Sequence, residues 1–292
     1  MKRTQMHIVA FAFSGCMATS ASAATIVTRV ASEPHLAVSH PNAALGGVPG
    51  GVIVGGGAFT VFTTGIGNML WAAAPALSTA STVSEWHAAA NDHLSPSPAT
   101  LSIFSLNLKA PNGLYETRVF ADTGSLGVKA MAQANVPSGW VMTDGGCRVN
   151  RVGARAVGEF LTASYPDKLN EWFCATAPDG DFDRVSVTAF AVAIRPVSIT
   201  TPLPRSCIGR ATGTSMIAPH AEAPDCSKGA GAVTGGGAKV NLPIPNCTGL
   251  FLTGTFPLIS GTKAYAWKGQ GLLHASTCPG ATVTAYSIAV KF

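Results

Sequence analysis

Gly67-Asn68-Met69-Leu70-Trp71-Ala72-Ala73-Ala74-Pro75 is answered by Gly158-Glu159-Phe160-Leu161-Thr162-Ala163-Ser164-Tyr165-Pro166, and again by Gly249-Leu250-Phe251-Leu252-Thr253-Gly254-Thr255-Phe256-Pro257. The glycine, the large apolar residue, the leucine and the proline each recur 91 positions on. A threefold internal repeat of this period means that one supersecondary unit is built three times, and each motif can be checked against its own counterparts.

Other segments fall into register around this one. Upstream lie Val54-Gly55-Gly56-Gly57-Ala58, Thr143-Asp144-Gly145-Gly146-Cys147 and Thr234-Gly235-Gly236-Gly237-Ala238. Downstream each copy has a tryptophan, Trp86, Trp172 or Trp267, followed 18 or 19 residues later by Phe104, Phe190 or Tyr286 in a closing segment. That segment alternates. Ser102, Phe104, Leu106 and Leu108 match Thr188, Phe190, Val192 and Ile194, then Thr284, Tyr286, Ile288 and Val290, with mostly small residues between. A period of two predicts a strand, and its bulky face is expected to enter a core. Thr28-Arg29-Val30 and Thr117-Arg118-Val119 open the first two copies, leading to turn residues at Glu33-Pro34, Asp122-Thr123-Gly124-Ser125 and Ala211-Thr212-Gly213-Thr214. These predict a leading hairpin in each unit.

The expected fold is all-β, a pseudo-threefold repeat of short antiparallel strands in which copies 24–109, 110–196 and 197–292 bury their bulky faces against one another. Three tandem small β-sandwiches are the alternative. They call for linkers near 110–114 and 197–206, where Pro111-Asn112-Gly113 and Pro202-Leu203-Pro204 stand.

Residues 1–23 read as a secretory signal peptide, with a basic start, a mostly apolar Met6–Ala18 and small residues at Ala21-Ser22-Ala23. The apolar run falls short of the roughly 20 residues of a membrane-spanning helix, so no transmembrane segment is expected. Phe13-Ser14-Gly15-Cys16 resembles a lipoprotein processing site, which makes a lipid anchor at Cys16 the alternative to a secreted or periplasmic chain. Removal of residues 1–23 takes Lys2 and Arg3 from the 19 basic residues and leaves 17 against 14 acidic ones, a net charge of +3. With no basic cluster interleaved with aromatics, no nucleic-acid partner is expected. At 47% hydrophobic and 11% charged, the chain has ample material for a core.

Six cysteines follow the leader, an even number that in an exported chain points to disulfides. The preferred pairs are Cys147–Cys174, Cys207–Cys226 and Cys247–Cys278, because each closes a loop of about 20 to 30 residues within one copy.

Four motifs bear on chemistry. Val119-Phe120-Ala121-Asp122-Thr123-Gly124-Ser125 resembles the active-site loop of aspartic proteases. That mechanism needs two carboxylates sharing a proton, no second such loop exists, and the third copy reads Ala211-Thr212-Gly213. An aspartic-type hydrolase using Asp122 is therefore a remote alternative. The glycine runs mark bulges or close backbone approach rather than phosphate loops. Asp144 interrupts them and is a candidate ligand group. Asp179, Asp181 and Asp183 present alternating carboxylates, yet Arg184 and Phe190 stand where an EF-hand requires glycine and glutamate. An irregular Ca2+ site is what remains there, and no other cofactor is expected. Trp86, Trp172 and Trp267, with Glu85 and Glu171 before the first two, fit either sugar-stacking platforms or the plug of each repeat's core.

Threefold repetition, glycine-rich strands and an export leader together resemble the β-prism proteins, the jacalin-like lectins and the vitelline membrane outer layer proteins. The resemblance implies a β-prism-like arrangement and an extracellular glycan as partner, although no sugar-binding residue of those families maps onto a position here. The function expected is that of an exported, non-enzymatic binding protein, lectin-like, with a structural or adhesive envelope protein bound to other surface proteins as the alternative.

Overall fold

The structure is a computed structural model; it describes residues 24–32, 37–62, 67–77, 82–92, 96–111, 113–151, 158–179, 184–215, 217–243, 249–273 and 278–292. Among these every regular element is a strand, and no helix is long and apolar enough to cross a membrane. The first copy supplies β1 (Thr25–Ser32), β2 (Asn42–Gly46), β3 (Val52–Phe62), β4 (Met69–Leu77), β5 (Val83–Asn91) and β6 (Ala99–Lys109). The second supplies β7 (Tyr115–Thr123), β8 (Met131–Asn135), β9 (Val141–Asn150), β10 (Glu159–Lys168), β11 (Glu171–Pro178) and β12 (Ser186–Pro196). The third supplies β13 (Arg205–Thr214), β14 (His220–Pro224), β15 (Ala232–Asn241), β16 (Leu250–Ser260), β17 (Lys263–Leu273) and β18 (Thr282–Lys291).

These strands form three six-stranded antiparallel sheets, in the orders β1-β6-β3-β16-β17-β14, β13-β18-β15-β10-β11-β8 and β2-β5-β4-β9-β12-β7. Each sheet joins the first, sixth and third strands of one copy to the fourth, fifth and second of another. The seams are short: Gly254 and Thr255 face Phe59 and Ala58, Ala72 and Ala73 face Arg148 and Cys147, and Ala163 and Ser164 face Lys239 and Ala238. Tandem sandwiches would keep a copy's strands together. Here every copy shares both its half-sheets, and the three close into a prism-like ring. The third strands β3, β9 and β15 touch pairwise, as do β4, β10 and β16, so a pseudo-threefold axis runs among them. At one level of it the opening repeat meets itself, as Met69, Phe160 and Phe251 form one apolar cluster with the two rings edge to face at 5.3 Å.

One sequence expectation needs correction. The leading pair of strands is not a hairpin, because β7 pairs with β12 and β8 with β11, in different sheets. The chain turns a corner of the prism instead of pairing back; the first copy's turn at Glu33-Pro34 lies outside the described residues. The closing strands β6, β12 and β18 bury their bulky face as expected, and most of the small-residue face as well. Small residues line the second face because the two sheets of a copy approach closely there. Ser287 Oγ donates to the Pro224 carbonyl at 2.6 Å, and Ser105 Oγ to the Gly46 carbonyl at 3.3 Å.

The glycine runs divide into three tasks. Register shifts place a bulge at Val54, Thr143 and Thr234, just before each run. A side chain on the second member, Gly56, Gly145 or Gly236, would overlap the ring of Trp86, Trp172 or Trp267 in the same copy. One on the third, Gly57, Gly146 or Gly237, would overlap the backbone of the neighbouring copy's strand at Thr255, Ala73 or Ser164. Hydrogen is the only side chain that lets the tryptophan lie flat on one side and the next copy cross on the other.

Cys147–Cys174 joins β9 to β11, with Cα atoms 5.8 Å apart, and Cys207–Cys226 joins β13 to the turn that follows β14, at 6.0 Å. Each bridges two sheets within one copy. Cys278 is also disulfide-bonded, and its expected partner Cys247 lies outside the described residues.

Candidate functional site

The repeated tryptophans are core. Trp86, Trp172 and Trp267 are each 0% exposed, so none offers a ring face to a sugar, and the ligand-platform assignment is corrected on that ground. Trp172 Nε1 donates to Ser164 Oγ at 3.3 Å and Trp267 Nε1 to Thr255 Oγ1 at 2.8 Å. The equivalent residue of the first copy is Ala73, and Trp86 Nε1 is buried without an acceptor among the described residues. Ala73→Ser is expected to stabilise the chain by about 1 kcal/mol by supplying the missing partner, measured as a raised midpoint of chemical denaturation. The flanking carboxylates are likewise not aimed at an open ring. Glu171 is buried and accepts from Gln133 Nε2 at 3.2 Å and Lys168 Nζ at 2.9 Å, while Glu85 is half-buried.

Asp144 is no surface ligand group either; it stands at the axis, 0% exposed. Its Oδ2 accepts from Gly56 N at 2.7 Å and its Oδ1 from Gly236 N at 2.9 Å, so one side chain of the second copy ties the first and third. Side chains at Gly55 or Gly235, its counterparts, would overlap its carboxylate. The space holds one carboxylate, which is the reason the series departs from glycine once. Beside it Thr143 Oγ1 donates to the Val54 carbonyl at 2.6 Å and Thr234 Oγ1 to that of Thr143 at 2.7 Å. Val54 lacks the hydroxyl that would complete the ring. Burial holds the Asp144 pKa well above its ordinary value, against the N–H groups of Gly56, Gly145 and Gly236, which lower it.

Asp179 is buried, with its N–H on the Gly158 carbonyl at 2.8 Å. Asp181 and Asp183, the rest of the expected Ca2+ site, lie outside the described residues.

An open site lies at the corner of the second copy, between the edge strands β7 and β8. A groove of about 490 Å³ is walled by Asp122, Ser125, Gln133, Asn135, Met131 and Phe173. Asp122 is exposed at the end of β7, and Gln133 pairs across strands with Phe173, whose ring is half-buried. Gly124 holds the turn against β8: its N–H donates to the Val187 carbonyl at 3.0 Å, and a side chain there would overlap the backbone of Met131. Gly213 stands in the same relation to His220 in the third copy. The glycine shared by both copies is therefore a packing requirement. Among the described residues lining the groove Asp122 is the only carboxylate, so the second acid of a protease dyad is not assembled there.

The counterparts show that this groove is particular to one copy. Where the second copy has Phe173 and Gln133, the third has Lys268 and Glu222 in an ion pair at 3.4 Å, and Cys207–Cys226 staples its corner. The first copy has His87 and Ala44, with His87 Nε2 on Asn42 Oδ1 at 2.7 Å. Burial and the nearby Arg148 lower the His87 pKa. Sequence reasoning missed Phe173, Gln133 and Asn135. The available signal was the residue after each invariant tryptophan, which is His87, Phe173 or Lys268 and so escapes the repeat.

Phe173 continues into an aromatic row across its sheet. Its ring lies 5.5 Å from that of Tyr165, which stacks at 4.8 Å on Tyr286 across the glycine-bearing strand β15, with Lys239 Nζ 5.0 Å from the Tyr165 ring. Tyr165 donates to Asp167 Oδ1 at 3.1 Å. No protein-family model matches the chain, and no curated protein matches it in sequence.

Proposed function

We propose that the chain is an exported, non-enzymatic protein that binds extracellular carbohydrate in the corner groove of its second copy. One observation carries this. The groove sets a half-buried aromatic ring, Phe173, among a carboxylate, two amides and a hydroxyl at Asp122, Gln133, Asn135 and Ser125. A pyranose presents an apolar face ringed by hydroxyls. It is met by an aromatic face for stacking and by side chains that accept and donate hydrogen bonds around it. The disulfides suit an oxidising compartment, in keeping with the leader, and the three-sheet repeat supports the likeness to the jacalin-like β-prism proteins.

The test is retention on a glycan array or immobilised polysaccharide. Phe173→Ala and Asp122→Asn are each expected to weaken binding about tenfold or more, Asp122→Asn with an unchanged melting temperature and Phe173→Ala with a modestly lowered one in a chain that still folds, since its half-buried ring packs on Tyr165. No retained glycan in the parent chain, or binding untouched by both substitutions, sinks the proposal. A second reading, an adhesive envelope protein, is favoured by Val197, Ile199 and Leu203, which are exposed together between β12 and β13, Ile199 completely. It predicts self-association or capture of surface protein that Ile199→Ser weakens and that soluble sugars leave unaffected.

A further inference from the structure

A second cavity lies at the other end of the molecule's chemistry, apolar where the corner groove is polar. It occupies about 460 Å³ where the three copies meet near the starts of β1, β7 and β15. Ile26 comes from the first copy, Tyr115 from the second, and Val233, Val290 and Phe292 from the third. Tyr115 and Phe292 meet edge to face at 5.6 Å across its wall. Volume and lining fall in the range of sites that enclose small organic ligands, a few hundred cubic ångströms of mostly apolar surface. Among the described lining residues one side chain is charged: Lys263, exposed, at the start of β17. Among the described lining residues none has a carboxylate side chain.

We propose that this cavity binds a free single-chain anionic amphiphile, its hydrocarbon tail among Ile26, Val233, Val290 and Phe292 and its acidic head on the Lys263 ammonium. An ammonium on a flexible stem at the edge of an apolar pocket meets an anion without being buried itself, and the tail supplies the desolvation that makes binding favourable. Burial raises the Tyr115 pKa, which agrees with the apolar character of the wall. The equivalent junction of the first and second copies does not share this chemistry. The groove between the first and second copies is lined by Val48, Val52, Thr82, Ser84 and Thr117, with no cation among its lining residues. The proposal rests on none of the residues of the glycan groove.

Decanoate, with decanol as its uncharged counterpart, is the probe, titrated into the purified chain by calorimetry. Saturable binding of decanoate is expected. Lys263→Glu is expected to weaken it about tenfold and leave decanol unchanged, while Ala264→Trp, which fills the wall, removes both. Failure of the parent chain to take up decanoate, or equal decanoate affinity after Lys263→Glu, overturns the proposal. So does binding to anionic phospholipid vesicles in place of free decanoate. Lys263 is exposed, so its variant reports on the head group even where Ala264→Trp perturbs folding.

Discussion

Asp144→Ala is expected to lower the folding free energy by about 2 to 6 kcal/mol, because it takes the acceptor from the buried N–H groups of Gly56 and Gly236, each loss costing about 1–3 kcal/mol. The two donors, Gly56 and Gly236, belong to different copies, so the loss falls on the junction of all three. Removing a buried ionisable group relieves some desolvation, which keeps the effect toward the lower half of that range. The pH dependence follows from the raised pKa. The folded chain binds the Asp144 proton more tightly than the unfolded chain does. That contribution is complete below the ordinary value of 3.8 and is lost as pH rises through the folded-state value. Asp144→Asn keeps one acceptor oxygen and no titration, so its denaturation midpoint is expected to vary less across mild acid to neutral pH than the parent's. An unchanged midpoint for Asp144→Ala, or the same pH profile for parent and Asp144→Asn, contradicts the role assigned to this carboxylate.

Trp172→Ala is expected to cost about 3–5 kcal/mol, the range for deleting a large buried aromatic. The ring lies on Gly145 of β9, and Cys147–Cys174 pins its own strand β11 to β9, so the cavity left behind has little freedom to collapse. The three tryptophans should not be equal. Trp267 and Trp172 each lose a hydrogen bond as well as a ring, whereas Trp86 buries an unpaired Nε1, so Trp86→Ala is expected to be milder by about 1 kcal/mol. Denaturant titrations of the three single variants give the ranking, and a Trp86→Ala that is the most damaging contradicts it. The neighbour makes an internal contrast. Phe173→Ala, one residue on from Trp172 but only half-buried, is expected to cost less stability than Trp172→Ala and to bear mainly on ligand.

Much of the architecture was legible because it depends on local pattern. Alternation at Phe190, Val192 and Ile194 marked a strand, and the glycine runs marked bulges and close approach, both of which follow from backbone sterics. The tryptophans were legible as a recurring feature, but spacing alone does not separate a core plug from an exposed platform; what covers the ring comes from strands elsewhere in the chain. Asp144 was visible as a departure from its counterparts and was read as a possible ligand group for the same reason. Its three N–H partners include Gly56 and Gly236, which stand 88 and 92 positions away.

By itself the sequence determined that three like units exist, that they are built of strands, and where each places its glycines, tryptophan and closing strand, since these are properties of short segments repeated in register. Only the tertiary structure decided which strands share a sheet. A strand's alternation specifies its faces and not its partner, and the seams here join segments of different copies: Ala73 to Cys147, Ser164 to Ala238, Thr255 to Ala58. The same closure put Asp144 on the axis, and it left one corner open where Phe173 and Gln133 replace the ion pair of the third copy.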